Sequence, residues 1–350
     1  MASPTKLCAQ NFEIIEAIGA GSFSTVYHAI HKPSGRHVAL KQLFWNNSPE
    51  SIVREVRFLH LLNKTNNKVN IVKVIGLFRD YDQATVVMDY IPHISFRSFL
   101  PHVTGDIIKS YMYGLFLALS HVHSQKLINR DIKPANYLYD PKSGHGCLID
   151  FGLCQRDLHL ESYKNEFSND TYNNLDISKE FATNGEIDKV ETIECIDLIH
   201  PERCQGRPKM IANRAGSHGF RAPEVLVAAF NQTPKIDIWS AGVILLSLLT
   251  QRYPFFRAYD DLSSLVEIST IIGTKRLCDA AFECGRIIKF PTTIPGVDLK
   301  LLCYQLNANI ENLFLEDSVF DLLEKVLEPV PSKRLTAIEA LEHPFFEPIF

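Results

Sequence analysis

Over the first ninety residues, apolar positions come in short β-branched and aromatic runs broken by turn residues, which is a strand pattern. Val38-Ala39-Leu40-Lys41 and Thr85-Val86-Val87-Met88 read as strands. Between them Ser48-Pro49-Glu50 reads as a helix start, with serine as the cap and proline at the first helical position. Ile52, Val56, Leu59 and Leu62 then return at helical spacing, and Glu55 lies on the same segment. Beyond residue 91 the period changes to that of helices. Asp106 to Ser124 carries Ile107, Tyr111, Leu115, Leu119 and Val122 on one face, and further helices are predicted over 237–250, 262–272 and 321–327. A short strand pair is expected to bracket the segment 129–136. The pattern predicts an α+β chain: an extension over 1–11, a small β-rich lobe over 12–90, and a larger, mainly α-helical lobe over 91–350. His343-Pro344-Phe345-Phe346 closes the pattern, and no further domain is expected after it.

Residues 155–212 break this regularity, being rich in Asn, Asp, Glu and Ser with few apolar clusters. Such a stretch inside a compact fold is expected to be an insert, partly disordered. Eleven acidic and four basic residues lie between Gln155 and His200, against one acidic and five basic between Pro201 and Arg221. An acidic arm beside a basic cleft suggests an internal competitor, with residues 157–197 occupying the cleft until a partner displaces them.

The bulk composition narrows the class. With 350 residues, 46% of them hydrophobic, the chain has ample material for a core. A formal net charge of -4 favours neither nucleic acid nor an anionic membrane as partner. The most apolar run, Gly242 to Leu249, is far short of the ~20 residues of a membrane span and reads as a buried helix. Eight cysteines without a CxxC pair read as reduced thiols, and Met1 to Lys6 lacks the design of a secretory signal. Cys195, His200 and Cys204 offer three of the four ligands a structural zinc requires, so thiols without metal are the default expectation there.

The chemistry concentrates in Asn129-Arg130-Asp131-Ile132-Lys133-Pro134-Ala135-Asn136, followed by Asp150-Phe151-Gly152. Two carboxylates and a carboxamide at this spacing point to phosphoryl transfer: Asp131 to accept the proton of a substrate hydroxyl, Asn136 and Asp150 to hold magnesium, Lys133 to meet the transferred phosphate. Gly19-Ala20-Gly21-Ser22-Phe23-Ser24-Thr25-Val26 fits a loop folded over nucleotide phosphates, because glycine lets backbone amides approach them closely. Lys41, in a strand about twenty residues on, is placed to reach those phosphates and to pair with Glu55. Asp237, ahead of Trp239-Ser240-Ala241-Gly242, is expected to sit buried and brace the catalytic loop. Glu224 of Ala222-Pro223-Glu224 is expected to pair with Arg334.

Together these motifs resemble the eukaryotic protein kinase family from Ile18 to Phe346, which implies a bilobal protein-kinase-like fold. Arg214-Ala215-Gly216-Ser217, Gly219-Phe220-Arg221-Ala222-Pro223-Glu224, Asn231-Gln232-Thr233, Ile236 to Ile244, Arg252-Tyr253-Pro254-Phe255 and Asp260-Asp261-Leu262 resemble the cell division cycle 7-related kinases in particular, as do the long insert and the serine that ends the glycine loop. The resemblance implies an ATP- and Mg2+-dependent serine/threonine kinase. It would need a separate Dbf-type regulatory subunit, phosphorylate replicative helicase subunits and reside in the nucleus, although no basic cluster resembles an import signal. It also implies a nucleotide site formed by Ile18, Gly19, Ala20, Gly21, Ser22, Phe23, Val26, Ala39, Lys41, Met88, Asp89, Tyr90, Ile91 and Leu138. The alternatives are a pseudokinase scaffold and another acid-directed kinase.

Control and specificity leave choices open. Arg214 and Arg221 flank the expected substrate pocket and suit an acidic or phosphorylated residue after the acceptor, or Arg221 braces the loop internally. Ser217 either bonds Asp131 and Lys133 directly or is phosphorylated and pairs with Arg130. Asn129 stands where most kinases have His or Tyr, and a weaker alignment of the site is expected from this smaller side chain.

Overall fold

The computed structural model describes residues 10–20, 24–43, 49–64, 70–80, 83–157, 192–194 and 215–347. The chain opens with strands β1 (Phe12–Ala20), β2 (Ser24–His31) and β3 (Arg36–Leu43), then helix α1 (Pro49–Leu62), then β4 (Val74–Asp80) and β5 (Gln83–Asp89). Among the described residues these strands form one antiparallel sheet in the order β1-β2-β3-β5-β4. Its central strand β3 is buried from Val38 to Leu43, which places the polar side chain of Lys41 in an apolar wall. One face packs Phe12, Tyr27, Ala29, Val38, Leu40 and Val87 into a small core of its own. The other packs Ala39, Leu43, Val86 and Met88 against Phe58, Leu59 and Leu62 of α1 and joins the main core. Pro49 does start α1, as its fixed φ suits the first turn; Ser48 lies outside the described residues.

The helical lobe begins with α2 (Gly105–Ser124), whose first turn is capped by Thr104 accepting from the Ile107 amide. Strand β6 (Leu127–Ile128) leads into the catalytic loop, and β7 (Tyr137–Asp140) with β8 (His145–Leu148) leads out of it. Strand β9 (Gln155–Arg156) pairs back on β6, so the loop is bracketed as expected. Within the insert, β10 (Thr192–Glu194) runs parallel to β11 (Ile287–Lys289), so the described part of the acidic arm is paired with a strand of the helical lobe. The rest of the arm, with Cys195, His200 and Cys204, lies outside the described residues.

Helix α3 (Lys235–Thr250) is buried at every residue from Ile236 to Thr250, as an all-round apolar helix must be. Each of its leucines and isoleucines contributes roughly 1.5–3 kcal/mol by leaving water. Around it pack α4 (Asp261–Ile272), α5 (Thr274–Glu283), α6 (Leu299–Leu306) and α7 (Ser318–Val326). The last starts a turn before the residue 321 expected from sequence, because Val319 and Phe320 also face the core. Helices α5 and α6 went unforeseen; α5 follows Gly273 with no side-chain cap to announce it. Among the described residues no helix is long and apolar enough to cross a membrane, and no disulfide joins their cysteines.

Candidate active site

Strand register sets the upper part of the site. Lys41 lies between Val26 of β2 and Val86 of β5, and Ala39 lies opposite Met88. The Lys41 Nζ donates to Glu55 Oε1 at 2.6 Å and to Asp150 Oδ1 at 3.1 Å, so an ammonium from the sheet, a carboxylate from α1 and a carboxylate from the helical lobe meet. Burial alone would lower the lysine pKa; the carboxylates of Asp150 and Glu55 outweigh it and push it up to about 12. Asp150 shows the converse: burial would raise it, but Lys41 and the Gly152 amide hold its carboxyl below the usual carboxylate range.

Below, the catalytic loop hangs on one buried carboxylate. Asp237 accepts from the backbone amides of Asn129 and Arg130, both at 2.8 Å, and lies 3.0 Å from His123 Nε2. Two successive amides turned to one carboxylate hold Arg130 at φ 71°, a left-handed conformation that costs a non-glycine residue about 1–3 kcal/mol. Asp131 then meets Lys133 Nζ at 2.8 Å through Oδ2 and Asn136 Nδ2 at 2.9 Å through the same oxygen. Asn136 Nδ2 also donates to the Asp131 carbonyl at 2.8 Å, so its donors are spent inside the loop and its amide oxygen is the group suited to a cation.

The third component is the segment from Ala215 to Glu224. Gly216 has φ 125°, and a Cβ there would stand 2.8 Å from the Arg130 carbonyl, so only glycine lets this segment lie against the catalytic loop. Ser217 follows directly: its Oγ donates to Asp131 Oδ1 at 2.7 Å and accepts from Lys133 Nζ at 2.7 Å. Of the two readings of Ser217, the structure shows direct bonding, while Arg130 Nη1 donates to Gln232 Oε1 at 2.6 Å. Arg221 is braced internally, donating from Nε to the Gly216 carbonyl at 2.9 Å and from Nη1 to Asp261 Oδ1 at 2.6 Å. It nonetheless lines a small cavity beside Ser217, with Arg130, Phe220 and Ile236. Glu224 and Arg334 form the expected pair at 2.7 and 3.1 Å, fully buried, with the guanidinium over Trp239.

The structure thus brings together Lys41, Glu55, Asp131, Lys133, Asn136, Asp150 and Ser217. Gly21, Ser22, Phe23 and Arg214 lie outside the described residues. Tyr90 is engaged through its ring, stacked on His28 at 3.7 Å, and Asp89 is paired with Arg36. Sequence reading missed His28 and gave no partners for Gln232 and Asp261, which it singled out only within motifs, since a lone polar residue carries no sign of its distant partner. The hydrogen bonds of Asn129 were not foreseen either. That side chain, fully buried, donates to the Asp150 carbonyl and accepts from the Asp131 amide.

The donor set fits magnesium. It comprises one carboxylate and one amide oxygen, hard ligands of a cation that keeps its remaining positions for water and phosphate. Among the described residues no cluster of three or more His, Cys, Asp or Glu forms a closed metal cage.

Comparison with known proteins agrees. The protein kinase domain model matches residues 12–177 and 183–346. The probable cell division control protein 7 homolog 2 of Encephalitozoon cuniculi is 39% identical over 95% of this chain and 91% of its own length. The cell cycle protein kinase spo4 of Schizosaccharomyces pombe is 34% identical over 96% and 85%. The cell division cycle 7-related protein kinase of Mus musculus is 28% identical over 85% and 72%. With the family model covering nearly the whole chain and the kinase residues gathered at one cleft, this chain belongs to the protein kinase family, as a serine/threonine kinase of the cell division control protein 7 type.

Proposed function

We propose that this chain is the catalytic subunit of a kinase that starts DNA replication, activated by a Dbf-type regulatory subunit, located in the nucleus, and directed to serines and threonines of replicative helicase subunits that precede acidic residues. The observation that carries the chemistry is the convergence of Asp131, Lys133, Asn136, Asp150 and Ser217 within hydrogen-bond reach of one another or of Lys41. The biological role is supported by the likeness to cell division control relatives.

In this reading Asp131 orients the acceptor hydroxyl and takes its proton, and Lys133, already 2.8 Å from Asp131, faces the transferred phosphate. Lys41, fixed by Glu55, holds the nucleotide phosphates. Asn136 and Asp150 would hold Mg2+, which when bound supplies positive charge to the triphosphate. Ser217 holds Asp131 and Lys133 in register from the substrate side. Asp131→Ala is expected to lower kcat by ~10²–10⁴ while leaving the fold intact.

Acid-directed specificity is supported by Arg221. Its guanidinium lies on the wall of the cavity beside Ser217 and already takes one carboxylate, that of Asp261. The test is an ATP-Mg assay with and without a Dbf-type subunit, using peptides in which the residue after the acceptor is Asp, phosphoserine, Ala or Lys, with Asp150→Ala as control. Preference for Asp and phosphoserine is expected, sharpened by Asp261→Ala, which frees Arg221. Equal rates for the four peptides would remove the specificity claim, and indifference to the subunit would remove the activation claim.

A further inference from the structure

His28 follows Val26 by two residues on β2, so the two side chains share the face that carries Ala39 and Lys41 on β3. His28 lies opposite Ala39, and Ala39 opposite Met88, a row that leads across the sheet to the segment joining the lobes. The His28 ring is buried and stacks on that of Tyr90, with centroids 3.7 Å apart and planes within 8° of parallel. A buried imidazole needs a partner for its nitrogens, and His37 of β3 provides one: His28 Nε2 and His37 Nδ1 share a hydrogen bond of 2.8 Å. Whichever ring donates, the bond fixes the plane that His28 offers to Tyr90. Burial, then His37, hold the His28 pKa below its usual 6.5, with Glu16 of β1 pulling the other way. At neutral pH His28 is therefore an uncharged ring, and the contact is aromatic stacking rather than a cation over a ring. The chain leaves the sheet at this point. The Asp89 amide donates to the Lys73 carbonyl at 3.0 Å and the Asp89 carboxylate is paired with Arg36, whereas the Ile94 amide already donates to the Tyr139 carbonyl of the helical lobe, at 3.1 Å. Tyr90, the first residue beyond β5, is tied back to the sheet by its ring.

We propose that His28 is a positioning residue for the nucleotide: oriented by His37, its ring clamps Tyr90 to the sheet and so sets the backbone of residues 89–91 relative to Val26, Ala39 and Lys41. The inference rests on the nucleotide site that the family resemblance implies, in which those residues line one pocket. His28 acts through Tyr90, so its influence falls on nucleotide affinity and not on proton transfer at Asp131. An aliphatic side chain of similar size fills the same volume without offering a parallel ring, which separates the clamp from plain packing.

The test compares His28→Leu, His28→Phe and His37→Ala in the full chain at about pH 7.5, by calorimetric titration with MgADP and by steady-state kinetics with ATP, Mg2+ and an acidic acceptor peptide. His28→Leu is expected to weaken MgADP binding and raise KM for ATP about three- to tenfold, the scale of one aromatic pair, with kcat and the peptide KM within about twofold. His28→Phe, which restores a ring without the bond to His37, should recover most of that loss, and His37→Ala should fall between the parent and His28→Leu. Neither Kd nor KM depends on the fraction of folded protein. A His28→Leu variant with the parent's affinity for MgADP would overturn the proposal, as would a His28→Phe variant no better than His28→Leu, or a loss confined to kcat. The carbon-bound ring protons of His28 give a readout by NMR without nucleotide. They should be displaced upfield by the Tyr90 ring and return in Tyr90→Leu; undisplaced resonances refute the clamp. A parent chain that binds no MgADP would count against the nucleotide site, while the His28 resonances would still judge the clamp.

Discussion

The two halves of this site are held by different forces. On the strand-rich side, Lys41, Glu55 and Asp150 come from a sheet, a helix and the far lobe, and what joins them is charge between side-chain ends. On the helical side, Asp237 grips backbone amides of the catalytic loop from a helix buried along its length. Coulomb attraction across partly wet space changes with small displacements of α1, whereas a carboxylate bonded to two amides has one geometry. The contrast makes the upper half the adjustable one and the lower half the template.

Paired substitutions break that comparison most directly. Asp237→Ala removes the acceptor of two buried amides and the counterweight to the left-handed Arg130, so a loss of about 2–6 kcal/mol of stability is expected, at roughly 1–3 kcal/mol per orphaned donor. Urea unfolding would measure it. Glu55→Gln is expected to leave the unfolding midpoint nearly unchanged and to reduce kcat about tenfold, because Lys41 loses its charge partner but keeps a hydrogen-bond acceptor. Equal destabilisation by the two changes would erase the distinction between template and adjustable half.

A smaller effect, and a sharper one, concerns pH. The Asp150 carboxyl, held below its ordinary value of 3.8, contributes stability in full above about pH 4 and loses it as the pH falls through its lowered folded value. Lys41, raised from 10.5 to about 12, contributes in full below 10.5 and loses its contribution as the pH rises toward 12. Lys41 and Asp150 are therefore both charged across the working range. The difference in melting temperature between the parent and Lys41→Met should be flat from about pH 7 to 9 and shrink toward acid pH, because the buried Asp150 carboxyl, no longer held down by Lys41, takes up a proton in the variant; a slope between pH 7 and 9 would assign the join to some other, titrating group.

Much of this was legible in the sequence, and for a physical reason. Asp131, Asn136 and Asp150 lie within twenty residues of one another, and Lys41 and Glu55 within fourteen, so their spacing is nearly local and survives as a motif. The pairing of Glu224 with Arg334, 110 residues apart, was reached through the family resemblance. What stayed hidden was polar contact between single residues far apart, such as Arg130 with Gln232 and Arg221 with Asp261. The two hydrogen bonds of the Asn129 side chain were hidden as well, since a sequence shows the residue and not its partners.

Finally, the segment that joins the halves carries its own reporters. Cys147 and Cys154 flank Asp150 on either side and are 3% and 1% exposed, while Cys303 lies in α6 far from the join. Burial pushes the thiols of Cys147 and Cys303 up to about 12 and that of Cys154 up as well, so in the closed structure they are hardly ionised at pH 8 and become reactive only when an opening brings them back to water. In the native chain none of the three should be alkylated by iodoacetamide over an hour, and all should react after unfolding. Labelling in dilute urea then reports local opening. If the charge cluster fastens the segment, Glu55→Gln should admit reagent to Cys147 and Cys154 at urea concentrations that leave Cys303 protected. If the lower template fastens it, through the bond from Asn129 to the Asp150 carbonyl, Glu55→Gln should change nothing and Asn129→Leu should produce that selective exposure. Exposure of all three cysteines together in both variants would mean that the segment opens only with the whole helical lobe, and the adjustable half would then end at Lys41.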